Sequence, residues 1–508
     1  MGVNEAVPPP YTLAAGRLGG VSIVFLAVAA VTPLSVVATA VPGAYAGAGP
    51  VALPLLFLGL GLLLLVFAAG YLAMSRRMPH AGALYCLVAR GLGRPLGIGA
   101  AWLALLAYAA LQVSLYAVAG AAAGPALAVP WWVVALGCWA VVAICGLLPL
   151  AVTAWLLAAL VPAGVAVILG YSVADLLQPA GGSLTWETLS PANLSGLPRP
   201  ALGILLVLVA LAFAGFETTA AYAEEAHRPR RSITRATYLS IAALAVLFAA
   251  ASWAMSVATG PGRIAAEAGA RGPDLMFDLA AGRLAPWAAT LGRVVLVAGL
   301  LAAMIALHQT TARYLFALGR ERVLPPGLGR TGRRTSAPGA ASLTQTVVVG
   351  LVIGAGALAD ADPDSAARLL GVAGGLGILL LLLGASLAAL MFLNRHPNGE
   401  GVWSRLLAPG LSTVALGALG YLAFDDLPAL LGVPDGSVLP AVAAGAVLLG
   451  VVYGLALRSA SPVTYASIGL GGAAVVVTPS LPMVRTVPRQ RQPGAHRPER
   501  VNREELTG

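Results

Sequence analysis

Apolar stretches long enough to cross a bilayer recur along almost the whole chain, and nothing else constrains its fold as strongly. A spanning helix needs about 20 predominantly apolar residues, and such runs follow one another from residue 20 to residue 457 of 508. Hydrophobic residues make up 59% of the sequence and charged residues 10%, whereas soluble domains carry about 25% charged residues. With a mean hydropathy of +0.88, a water-soluble globular protein is excluded. Lipid offers backbone groups no hydrogen-bond partners, so the runs must satisfy their own amides and carbonyls as helices. The expectation is one all-α integral membrane domain, residues 20–457, between a short segment 1–19 and a tail 458–508. Twelve helices are expected, at 20–45, 51–74, 96–123, 130–147, 150–176, 201–225, 235–258, 286–318, 341–359, 367–393, 406–424 and 438–457. The run Ala466 to Thr478 is too short to span and is expected at the interface or under the bundle.

All 30 basic residues are arginine, and the net charge is +10. The arginines lie between the apolar runs, so they speak of topology and not of a nucleic-acid partner. With the N-terminus inside, Arg17, Arg76, Arg77, Arg90, Arg94, Arg228, Arg230, Arg231, Arg235, Arg320, Arg322, Arg330, Arg333, Arg334, Arg395 and Arg405 fall on the inner side, as do those from Arg458 onward. Arg199, Arg263, Arg271, Arg283 and Arg368 fall outside, and Arg293 and Arg313 fall within helices. The bias survives removal of the tail, so both termini are expected in the cytoplasm, with the bilayer of the cell membrane as surroundings. No cleavable signal peptide is expected, and the tail from Val484, rich in Arg, Pro and Gln, is expected to be disordered. The segment Thr259 to Ala285 reads as a helical exterior hairpin suited to a lid. Cys86, Cys138 and Cys145 show neither metal nor disulfide spacing, and no cofactor is expected.

Two helices carry interruptions. In the first, Thr32, Pro33, Leu34 and Ser35 break the apolar run. Pro33 lacks an amide hydrogen and clashes with the preceding turn, so the hydrogen-bond ladder must open there. In the sixth, Gly215 and Glu217 sit at membrane depth in the stretch FAGFETTAAYAEEAHRPRRSITR, Phe213 to Arg235. These are equivalent positions if the core is two five-helix inverted repeats, about 20–176 and 201–393, followed by two extra helices over 406–457. Paired Gly/Pro interruptions at such positions point to a transporter's binding site. A simple proline kink is the alternative for Pro33 alone.

Three segments then carry a resemblance. FAGFETTAAYAEEAHRPRRSITRATY (213–238), SRRMPHAGALYCLVARGLGRPLG (75–97) and ALHQTTARYLFALGRERVLP (306–325) lie in order at helix ends. Together they resemble the amino acid–polyamine–organocation (APC) superfamily of permeases, amino acid permease branch, over about residues 15–470. Three departures stand out: TPLS replaces the family's Gly-rich break of helix one, Ile233–Thr234 replaces a hydrophobic–Pro pair, and Arg322-Val323-Leu324-Pro325 lacks the motif's glycine. The resemblance implies a LeuT-like fold, transport and not enzymatic activity, and a small-molecule amino acid or amine as substrate. It further implies that the substrate carboxylate sits at the helix-one break and the amino group at the helix-six break.

The physics of helix ends agrees, because free amides attract anions and free carbonyls attract cations. The expected substrate contacts are the backbones of Thr32, Pro33, Leu34, Ser35 and Val36 and of Ala212, Phe213, Ala214, Gly215 and Phe216. The Thr32 and Ser35 hydroxyls would assist. The Phe213 and Phe216 rings offer a face to a cation or apolar side chain, or else simply pack. Tyr108, mid-helix in the third span, either faces the site or packs in the bundle. Glu217 is the main chemical candidate. Burial favours its protonated form, so it can take a proton from one side and release it to the other; bracing helix six is the alternative. Glu224 lies about 10 Å further along the helix and needs a cationic partner, for which Arg313, Arg320, Arg76 and Arg77 are candidates; Glu224 and Arg313 are read as a cytoplasmic gate. His308 is a second proton-coupling candidate, although a lone His more often packs.

The resemblance implies that a sodium site would use hydroxyls of helix eight, and Leu301, Ala302 and Ala303 are expected at that place, so sodium coupling is disfavoured. Proton symport is the leading expectation, with amino acid or polyamine exchange as the alternative. A non-transporting sensor and a membrane enzyme are the competing classes. The remaining histidines, His80, His227, His396 and His496, sit singly without metal spacing or a phosphate loop, which speaks against an enzyme.

Overall fold

A computed structural model describes residues 12–49, 51–332, 335–434 and 436–471. The expectations for residues 1–11 and for the tail beyond Gly471 fall outside the described residues. The apolar runs form helices α1 (Gly20–Ala48), α2 (Leu53–Ser75), α3 (Arg94–Leu127), α4 (Trp131–Leu147), α5 (Leu150–Leu177), α6 (Arg199–Tyr222), α7 (Pro229–Thr259), α8 (Pro286–Arg320), α9 (Gly339–Leu358), α10 (Pro363–Arg395), α11 (Trp403–Asp425) and α12 (Val438–Ala460). Eleven of them are long and apolar enough to cross a membrane; α4, at 17 residues, is shorter.

The helix positions follow from local chemistry. Proline stands in the first turn of α2, α3, α6, α7, α8 and α10, where its missing amide and fixed φ are harmless. For that reason α7 begins at Pro229 rather than at Arg235, as expected from the apolar pattern alone. In lipid, close helix contact depends on small residues, and α3 shows this on two sides. A Cβ on Gly374 or Gly377 of α10 would lie 2.7 Å from the Ala107 carbonyl oxygen or 2.6 Å from the Ala107 Cβ. On another face, a Cβ on Gly450 of α12 would lie 2.6 Å from the Gly99 Cα.

Both interruptions are present. In α1 the helix stops at Val31, and Thr32 takes a left-handed conformation, φ 56° and ψ 59°. A residue before proline is pushed out of the right-handed helical region, so Pro33 accounts for the break falling at Thr32. The chain resumes over Pro33–Ser35, passes through a π turn at Val36–Ala40 and continues to Ala48. In α6, regular helix ends at Leu211, earlier than expected, and a tight 3-10 segment covers Phe216–Tyr222. The segment 259–285 forms the expected helical hairpin, Ile264–Arg271 and Leu275–Arg283. Arg283 anchors it by ion-pairing with Asp175 of α5 at 3.3 Å and donating to the Ala258 carbonyl at 2.6 Å. After α12, a short helix Pro462–Ser467 and the turns to Gly471 pack beneath the bundle.

Candidate functional site

The two interruptions touch. Gly215 has φ +122°, and a Cβ placed on it would lie 2.7 Å from the Ala30 carbonyl carbon and 2.8 Å from the Val31 nitrogen. Those are the residues immediately before Thr32, so the turn of α6 rests directly on the backbone of α1 at its break. Only glycine satisfies both the positive φ and the close approach.

Glu217 closes the α6 break. Its Oε2 accepts the Gly215 amide at 2.9 Å and its Oε1 accepts the Tyr108 hydroxyl at 3.1 Å. The Glu217 carbonyl accepts the Tyr71 hydroxyl at 3.3 Å. A carboxyl that is fully buried therefore supplies the partner that an opened helix leaves its amide without. Tyr108 brings α3 to the same point, and its ring packs edge-on against that of Tyr314 on α8, with centroids 5.5 Å apart. Tyr314 in turn accepts the Leu84 amide at 3.0 Å.

On the α1 side, Thr32, Pro33, Leu34 and Ser35 line a narrow cleft with Ala29, facing α5 and α8. The Thr32 hydroxyl donates to the Val31 carbonyl at 2.6 Å, and the Val36 amide to the Thr32 carbonyl at 3.1 Å. Val36 begins the π turn and is buried. On the α6 side, Ala212, Phe213, Ala214 and Gly215 form the turn between the regular and the 3-10 segments. Phe213 stacks edge-on against Phe248 of α7, with centroids 5.6 Å apart, and Phe216 against Phe67 of α2 at 6.2 Å. Both rings thus have aromatic partners in neighbouring helices.

His308 stands apart from this constellation. Its Nε2 meets the Ser342 hydroxyl of α9 at 2.8 Å, and its Nδ1 is buried without a partner. Among the described residues, its hydrogen bond joins α8 to α9 and not to α1 or α6.

On the arginine-rich face, Glu224 and Arg313 do not pair with each other. Glu224 accepts both Arg320 terminal nitrogens, at 2.8 and 2.7 Å, and the Ala81 amide at 2.9 Å. Burial raises its pKa, but Arg320 and the other donors outweigh that and hold it below the usual value. Arg313 instead forks onto Glu225, with Nε and Nη2 at 2.6 and 3.0 Å from the two oxygens. Its Nη1 donates to both the Gln309 carbonyl and side-chain oxygen, and its guanidinium lies 5.0 Å from the Tyr222 ring centroid. The backbone joins in: a parallel bridge couples Leu18 to Ala226, through Leu18 N–H to the Glu225 carbonyl at 3.0 Å and His227 N–H to the Leu18 carbonyl at 2.9 Å.

A further carboxylate went unnoticed in the sequence. Glu321 accepts the Tyr85 hydroxyl at 2.6 Å, a His80 ring nitrogen at 2.8 Å and the amides of Gly469 and Gly471 at 3.0 Å. Tyr71, Tyr314 and Glu225 were likewise not singled out. The available signal was position: Glu225 adjoins Glu224, and Tyr314 and Glu321 lie inside the third of the family-like segments. Among the described residues, no group of three or more His, Cys, Asp or Glu is placed to hold a metal ion.

No curated protein matches the chain. The amino acid permease family profile matches residues 18–456, close to the span of about 15–470 over which the resemblance is expected, and it covers every interaction of the two breaks described above. The chain belongs to the amino acid permease family.

Proposed function

We propose that this protein is a secondary active transporter that moves an amino acid or related amine across the cytoplasmic membrane by alternating access, coupled to protons. In this reading α4 is a twelfth span and the core is a LeuT-like pair of inverted repeats, 20–176 and 201–393, with two added helices over 406–457. Both termini are cytoplasmic, residues 1–19 and 458–508 forming the N-terminal segment and the tail. The observation that carries the reading is the direct seat of Gly215 on Ala30 and Val31. It joins two helix breaks at one point, where opened backbone can serve a zwitterion. The substrate contacts are Thr32 to Val36 and Ala212 to Phe216, and Tyr108 takes part through Glu217.

Glu217 is the coupling site. Both of its oxygens accept hydrogen bonds, an arrangement that suits the ionised carboxylate. Gly215 N–H can only donate, whereas the Tyr108 hydroxyl can rotate. The proton therefore enters on Oε1, and the Tyr108 hydroxyl turns to accept a hydrogen bond from it, with its own hydrogen swung away from Glu217. Supporting proton over sodium, α8 walls the cleft at the α1 break with Leu296, Gly299, Leu300 and Ala302, none of which has a side-chain oxygen. Glu224–Arg320 and Glu225–Arg313 form the cytoplasmic gate, and the hairpin held by Asp175–Arg283 is the exterior lid. His308 lies outside the coupling path, as its contacts join α8 to α9.

Proteoliposomes test this. An inward pH gradient is expected to concentrate labelled amino acid, and Glu217→Gln to abolish that accumulation while sparing counterflow. Accumulation by the variant with an unchanged pH profile would sink proton coupling at Glu217. Accumulation that requires an internal amino acid instead of a proton gradient would identify an exchanger.

A further inference from the structure

Between the N-terminal ends of α1 and α7 lies a cleft of about 470 Å³, walled on one side by Gly20, Val21 and Val24 and on the other by Arg228, Arg231 and Arg235. The three arginines are exposed. Among the described residues none has a carboxylate partner, and the acids nearest in sequence, Glu224 and Glu225, are committed to Arg320 and Arg313. Two helix N-termini open onto the cleft, α1 after Gly19 and α7 after Arg228, neither with a side-chain cap. Their first-turn amides add partial positive charge to that of the guanidinium groups.

The other half of the cleft is apolar. Val21, in the first turn of α1, is 68% exposed, and Leu239, almost three turns into α7, is 58% exposed, so both face outward from the bundle. At the base, a Cβ on Gly20 would meet Ser232 at an ordinary 3.8 Å, so the two helices are close neighbours here. A site with a tricationic mouth and an aliphatic wall matches an anion that carries a hydrocarbon chain.

We propose that this cleft binds an anionic phospholipid, with its phosphate-bearing head group among Arg228, Arg231 and Arg235 and an acyl chain along Val21, Val24 and Leu239. Basic pockets between membrane helices bind such head groups by this chemistry. A soluble phosphate would leave the aliphatic wall unused, and a zwitterionic lipid would bring its own cation to the arginines. The site adjoins the Leu18–Ala226 bridge, so an occupant clamps the ends of α1 and α7 beside the contacts that close this face.

Native mass spectrometry of the full chain in detergent, with thermal midpoints in parallel, tests the site using phosphatidylglycerol, phosphatidylcholine and glycerol phosphate as probes. Phosphatidylglycerol is expected to be retained selectively and to raise the midpoint. Its affinity should fall about fivefold for each arginine removed, and thus most in Arg231→Gln/Arg235→Gln. Arg330→Gln/Arg458→Gln, outside the cleft, should leave it unchanged. Val24→Trp fills the aliphatic wall without altering charge and should also weaken retention, which keeps the test decisive should the arginine variant fail to fold. Equal losses in both arginine pairs would reduce the effect to a diffuse surface field and overturn the proposal. Retention of phosphatidylcholine equal to phosphatidylglycerol, or equal stabilisation by glycerol phosphate, would also overturn it.

Discussion

At the residue scale, the contact between the two breaks depends on the absence of a methyl group at Gly215. Gly215→Ala places a Cβ 2.7 Å from α1 backbone and demands φ +122° of a residue that avoids it. Backbone cannot swing aside as a flexible side chain can, and a strained conformation of this kind costs about 1–3 kcal/mol before any clash. The variant is expected to lower the thermal midpoint and reduce uptake by tenfold or more. Gly59→Ala on α2, where an added Cβ meets nothing within 4 Å, should be neutral or slightly stabilising, since alanine favours helix. A midpoint for Gly215→Ala equal to that of Gly59→Ala would show that the close approach is not needed. The importance of Gly215, Glu217 and Pro33 was legible in the sequence because glycine, proline and a carboxylate are each costly at membrane depth. The direction of the Phe213 and Phe216 rings was not. That is decided by Phe57, Phe67 and Phe248, which approach from other helices, and no local spacing encodes them.

At the scale of elements, helix positions came through well for the same reason that the composition was decisive: lipid requires long, uninterrupted hydrogen-bonded runs. What the sequence left open was pairing across helices. Glu224 and Glu225 are adjacent yet point to Arg320 and Arg313, respectively, and nothing in their order says which takes which. Both acids lie in the turn that follows Tyr222 and not on the helix, so no helical spacing fixes their directions and the partners are settled only once α8 lies alongside. The two pairs also differ in burial. The Arg313 and Glu225 side chains are 1% and 3% exposed, against 9% and 17% for Arg320 and Glu224. Removing one member of a buried pair strands the other charge and costs about 3–5 kcal/mol. Glu225→Gln or Arg313→Gln alone should therefore destabilise the protein in detergent more than Glu224→Gln does. The double variant Glu225→Gln/Arg313→Gln should recover part of the loss, because no uncompensated charge remains. Thermal unfolding of all four variants measures this; purely additive single-variant losses would refute the coupling.

At the scale of the whole molecule, Glu321 gathers three segments that are far apart in sequence. His80 and Tyr85 follow α2, Glu321 itself ends α8, and Gly469 and Gly471 lie beyond α12. Two outlying contacts reinforce the arrangement: Arg94 donates to the Ala466 carbonyl at 3.2 Å, and Tyr453 to the Val323 carbonyl at 2.9 Å. Burial raises the Glu321 pKa, but His80, Tyr85 and the glycine amides more than offset this and hold it below the usual carboxylate range. A depressed pKa means that the folded state binds the ionised form. The stabilisation is complete above the ordinary carboxylate pKa of about 4.3 and is lost as pH falls through the lowered value. Glu321→Gln keeps one acceptor but removes the charge, so it should loosen the segment after α12 even at neutral pH. Hydrogen–deuterium exchange reads this directly through the amides of Gly469 and Gly471. In the variant they should exchange at least tenfold faster, while amides in the middle of α3 and α7 stay protected. In the native protein, protection corrected for intrinsic rates should hold above the ordinary carboxylate pKa and fall as pH drops through the lowered one, with no comparable step in the variant. Unchanged exchange at Gly469 and Gly471 in Glu321→Gln would mean that the Glu321 carboxylate does not hold the segment, which would then rest on contacts such as those of Arg94 with Ala466, Cys86 with Gly469 and Ser467 with the Glu321 carbonyl.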